Sequence, residues 1–66
     1  MSPRIGTVLR RLREAKGMTQ LQLATKAKVA QGYISDLEAG GKKNPGLDTL
    51  RKLAKALGVP VTELLG

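Results

Sequence analysis

The stretch from Thr19 to Gly40, TQLQLATKAKVAQGYISDLEAG, constrains this chain more than any other part. It reads as two short helices joined by a bend over 28–30. Thr19 and Gln22 have the spacing of a capping box, in which the Thr hydroxyl takes a backbone N–H and the Gln side chain reaches back. Met18 with Leu23, and Val29 with Ile34, stand where a hydrophobic staple fixes the entry of each helix. Leu23, Ala24 and Ala27 of the first helix face inward, as do Ile34 and Leu37 of the second. Leu21 falls on the solvent side. Gly40-Gly41 ends the second helix, with Gly40 expected in the left-handed conformation. Outward from the second helix point Gln31, Gly32, Ser35 and Asp36. This is the layout of a helix-turn-helix, whose second helix enters the DNA major groove.

The flanks supply the rest of a helical body. Ser2-Pro3 is a helix start, Ser as N-cap and Pro at the first helical position. Ile5, Val8, Leu9 and Leu12 follow at helical spacing, and Gly17 ends that helix. Lys42, Lys43 and Asn44 form a basic loop, and Pro45-Gly46 a turn. Leu47, Leu50, Leu53, Ala54 and Leu57 make one more apolar stripe, stopped by Gly58. A short last helix follows Val59-Pro60. The pattern predicts helices over 3–16, 20–27, 31–39, 47–57 and 61–65, in one domain spanning 1–66. With no strand signal, the fold class is all-α: five short helices around one core.

Composition narrows the function. The 66 residues carry twelve Lys and Arg against five Asp and Glu, a formal charge of +7. On so small a body that field favours a polyanionic partner, although solubility alone is the plainer reading. There is no cysteine and no histidine. The usual general base, the usual zinc ligands and any disulfide are therefore missing, and no cofactor or metal is expected. Asp36 and Glu38, two apart on a helix, point in different directions and make no catalytic pair. An enzyme is the least favoured reading. No apolar run approaches the ~20 residues of a membrane span, and the first residues lack a signal-peptide core. The expected location is the cytoplasm, on the nucleoid when bound to DNA.

Four blocks carry a resemblance: LRRLREAKGMTQLQLA, VAQGYISDLEAG, NPGLDTLRKLAKALGV and VTELL. In this order and at these spacings the whole chain resembles the lambda-repressor-like helix-turn-helix family, also called the Cro or xenobiotic-response-element (XRE) type. The resemblance implies the compact five-helix fold of that family. It also implies operator binding, usually as a homodimer, in a transcriptional regulator and most often a repressor. Three positions depart from the family's form. Lys28 stands where the bend commonly has glycine, Ala30 where a Ser or Thr cap is usual, and Pro60 where a capping residue precedes the last helix.

The resemblance also assigns roles. Gln31, Gly32, Ser35 and Asp36 fall where similar proteins meet base edges. Gln31 can pair bidentately with adenine, and Asp36 can accept from cytosine N4 or repel phosphate. Gly32 suits close approach or a thymine methyl. Their plainer reading is a solvated helix face. Thr19 and Gln20 open a helix whose free N–H groups attract a phosphate, and the side chain and backbone of Gln20 are expected to grip it. Lys42, Lys43 and Asn44 are expected on the phosphates at the other side of the groove. Tyr33 bonds a phosphate through its hydroxyl, packs its ring against the second helix, or does both. Arg13 and Glu38 are expected as a structural pair that ties the first helix to the third and turns Arg13 toward the DNA backbone. Arg51, Lys52 and Lys55 read as a solvated face.

One small helix reads few base pairs, so a homodimer on a palindromic double-stranded operator is expected, with half-sites about 34 Å apart. Val61, Leu64 and Leu65 are the expected dimer contact, with core closure as the other role for the two leucines. The competing function is a protein-interaction module of the same fold, an antitoxin or an adaptor. The basic loop beside Gln20 and Gln31 argues against it. A basic amphipathic membrane binder is disfavoured by short stripes that lack Trp and Phe.

Overall fold

The computed structural model describes residues 5–41 and 45–65. They form α1 (Ile5–Ala15), α2 (Gln20–Ala27), α3 (Gln31–Ala39), α4 (Leu47–Leu57) and α5 (Thr62–Leu65), with no strand among them. The first helix was expected over 3–16; its described part begins at Ile5, and Lys16 already lies in the turn that follows. The last helix starts at Thr62 rather than at 61, because Pro60 and Val61 carry the turn whose carbonyls accept from Glu63 and Leu64.

α2 begins as its sequence dictates. The Gln22 amide donates to Thr19 Oγ1 at 3.0 Å, and the Thr19 amide donates to Gln22 Oε1 at 2.8 Å. α3 begins less firmly: Ala30 is its N-cap and offers no side-chain hydrogen bond. Between them Lys28 adopts the left-handed conformation, φ 60 and ψ 44, which lets the chain reverse within three residues. Gly40 does the same at the end of α3, with φ 86.

Leu9, Leu23, Ile34, Leu37, Leu53 and Leu57 are fully enclosed and form the centre of the core. Met18, Val29, Tyr33 and Val61 pack against it from the edge. The apolar stripes deliver these contacts with two exceptions. Leu47, counted in the stripe of α4, is 51% exposed because it sits in the first turn, ahead of the packed stretch. Ala56, not counted, is buried. Leu64, expected at a dimer contact, is buried in the core, so the short α5 closes the body with that residue.

Gly6 sets how near α1 comes to α3. A Cβ built there would lie 1.8 Å from the carbonyl oxygen of Leu37. Only a residue without a side chain allows the two backbones to touch at this point.

Candidate nucleic-acid interface

α3 is amphipathic in the required sense. Ile34 and Leu37 anchor one face in the core, while Gln31, Gly32, Ser35 and Asp36 are all exposed on the other. Tyr33 is half-buried, its ring packed against the core, which meets the packing alternative for this residue. Thr19 is exposed at the start of α2, engaged in the capping box. Lys42, Lys43 and Asn44, the expected phosphate loop, lie outside the described residues.

A polar network fixes α3 to the elements beside it. Arg13 Nε donates to Glu38 Oε2 at 2.7 Å, and Arg13 Nη2 donates to Glu38 Oε1 at 2.9 Å. This is the two-pronged geometry that guanidinium and carboxylate favour. Arg13 Nη1 donates to the Met18 carbonyl at 2.7 Å, which ties in the loop before α2. Gln20 Nε2 completes the set, donating to Glu38 Oε1 at 3.1 Å. Both charged side chains are withdrawn from water, at 11% exposure for Arg13 and 5% for Glu38.

Burial opposes the charge on Glu38. Hydrogen bonds from Arg13 and Gln20, and the positive charges of Arg13 and Arg10, outweigh it and hold the carboxyl below the ordinary glutamate value. The hydrogen bond to Glu38 likewise raises Arg13 against its own desolvation. The pair is therefore ionised on both sides at neutral pH.

These distances bear on two expectations. Arg13 was also expected to face the DNA backbone; three of its five N–H groups are taken by bonds inside the protein. Gln20 was expected to turn its side chain to a phosphate; here one of its amide N–H groups is given to Glu38, and the side chain still borders a polar cleft. Its backbone N–H, at the first position of α2, stays among the donors that a helix leaves free.

Arg10 is the residue that the sequence reading passed over. It shares the face of Arg13 one turn away, pairs with Glu14 at 3.2 Å on the surface, and borders a polar cleft. The cleft, about 300 Å³, is lined by Arg10, Arg13, Gln20, Ser35, Glu38 and Ala39. The available signal was the three-residue spacing from Arg13.

The family model for the helix-turn-helix matches residues 9–64. The immunity repressor protein of Bacillus phage phi105 is 37% identical over 62 residues, 94% of this chain and 42% of that protein. The uncharacterised HTH-type transcriptional regulator y4dJ of Sinorhizobium fredii is 43% identical over 61 residues, 92% of this chain and 78% of that protein. Thus the chain spans less than half of the phage repressor and most of y4dJ. Among solved structures, the complex of the biofilm regulator SinR with DNA superposes with a TM-score of 0.91 at 37% identity, covering 94% of this chain and 98% of that one. A fold anchored this way, matched along nearly its full length by regulators of this type, belongs to the lambda-repressor-like, XRE-type helix-turn-helix family.

Proposed function

We propose that the chain is a sequence-specific, double-stranded DNA-binding transcriptional regulator, acting as a repressor, that seats α3 in the major groove. One observation carries the reading. α3 is locked on its inner face by Ile34, Leu37 and the Arg13–Glu38 pair, while Gln31, Gly32, Ser35 and Asp36 stand exposed on the outer face. The SinR chain solved with DNA superposes on 94% of this one.

In this reading Gln31 reads a base, with Gly32, Ser35 and Asp36 beside it. The N–H groups at the start of α2, near Thr19 and Gln20, meet one phosphate. Arg10 adds a cation beside them. Tyr33, Lys42, Lys43 and Asn44 are proposed on the phosphates beyond α3. No cofactor enters this reading, and the relatives above are named as a repressor and a transcriptional regulator. No helix among the described residues is long and apolar enough to cross a membrane. The cytoplasm, where the DNA is, is the proposed location.

Selection of sites from random duplex DNA, followed by affinity against salt, tests the reading. A palindromic consensus is expected, with half-sites about one helical turn apart. Gln31→Ala should then weaken the best site by about 1–3 kcal/mol and relax preference at one base. Lys43→Ala should weaken all sequences alike and lower the salt slope by about one. Selection that enriches nothing would instead favour the protein-interaction module.

A further inference from the structure

Away from α3, a second cleft opens between the C-terminal end of α2 and the C-terminal half of α4. Its volume is about 400 Å³, and its lining is Lys26, Ala27, Lys28, Lys52, Lys55 and Ala56. The two alanines are buried and form an apolar floor, and the four lysines are exposed around it. Among the described residues, no carboxylate lines the cleft. We propose that this lysine-rimmed cleft docks an acidic segment of a partner protein, which places one apolar side chain on the alanine floor and carboxylates on the rim.

Helix chemistry accounts for part of the rim. Lys26 and Lys55 lie in the last turns of α2 and α4, where a cation complements the helix dipole. Lys52 lies a turn earlier, and Lys28 lies past the end of α2. The latter holds its charge at the cleft from a left-handed backbone that glycine adopts with less strain. Four ammonium groups around one hollow repel one another unless an anion joins them. The floor selects the kind of anion. A DNA backbone has no projecting apolar side chain to reach it, whereas a peptide has, and the volume suits one or two side chains. The cleft also shares no residue with the bases-and-phosphates face proposed above.

The test uses the full chain and a fluorescein-labelled dodecapeptide of Glu and Asp with one central leucine. The wild type should bind it measurably in low salt. Lys26→Gln, Lys52→Gln and Lys55→Gln together should weaken it about tenfold, the sum of three modest rim pairs. Removing the same charge elsewhere, by Arg11→Gln, Lys16→Gln and Arg51→Gln, should leave peptide binding near wild type. A peptide with serine for the leucine should bind several-fold more weakly. Circular dichroism checks that both triple variants keep their helices. Equal peptide binding by the wild type and the cleft variant would overturn the proposal, and so would indifference to the leucine. Two other outcomes would overturn it by giving the cleft to another occupant. A salt slope for duplex DNA lowered by about three in the cleft variant would make it a DNA contact. Loss of wild-type self-association in that variant would assign it to a second copy.

Discussion

Arg13 and Glu38 show what one buried pair contributes to so thin a core. Each is paired, hydrogen-bonded and nearly dry, so removing one leaves the other a buried charge without its counter-ion, held by one remaining hydrogen bond. Arg13→Ala should therefore cost about 3–5 kcal/mol in a chemical melt, enough to unfold much of a domain this small. The same pair sets an acid limit. Because Glu38 is depressed in the folded state, its stabilisation is complete above the unfolded value, about 4.3, and is lost as pH falls through the lower folded one. Melting temperature followed from pH 7 downward should fall on the acid side. Glu38→Gln should be less stable at neutral pH and show a shallower acid fall; an unchanged acid fall would give that limb to other carboxylates. Lys28 raises the opposite case, a residue that costs stability where it stands. With φ 60, Lys28→Gly should raise stability by up to about 1 kcal/mol, the strain of the left-handed residue less the entropy glycine adds to the unfolded chain.

Among the elements, α3 depends most on its neighbours, since its own start is weak. Ala30→Ser should add about 1 kcal/mol by supplying the missing cap hydrogen bond, read as a shift in the thermal midpoint. Gly6 sets two effects against each other. Alanine favours a helix interior over glycine by about 1 kcal/mol, yet its Cβ would fall 1.8 Å from a backbone oxygen that no side-chain rotation can move. The clash should win, and Gly6→Ala should destabilise by about 1–3 kcal/mol or more. The sequence made α2 and α3 legible because their signals are local: a capping box, two staples and a glycine stop within a few residues of each other. Gly6 was opaque because its reason is a contact with Leu37, far along the chain. The bond from the Gln20 amide to Glu38 was opaque on the same ground, since nothing nearby in the chain announces that partner. Arg13 was legible as one half of a pair, through the family resemblance, but not as fully enclosed by it.

For the molecule as a whole, size bears on the proposed stoichiometry. The Cα trace is 30 Å along its longest axis, comparable with the ~34 Å between successive major grooves on one side of a duplex. On the proposed reading, one copy serves one half-site and a palindromic site takes two. With Leu64 taken by the core, Leu65, 61% exposed, and the half-buried Val61 remain as the proposed contact between copies. Leu65→Glu should lower the dimer fraction in sedimentation and weaken a palindromic site far more than a single half-site. Equal losses on both would move the contact elsewhere. The vacancy at Gly32 has a different kind of consequence. No described residue lies within 4 Å of where its Cβ would be, on the helix that carries the proposed reading face. A Cβ introduced there displaces no described atom of the protein. On the proposed reading, an inherited change at this position alters which sites are occupied without disturbing the fold, so descendants of this chain can diverge in their targets while sharing one scaffold.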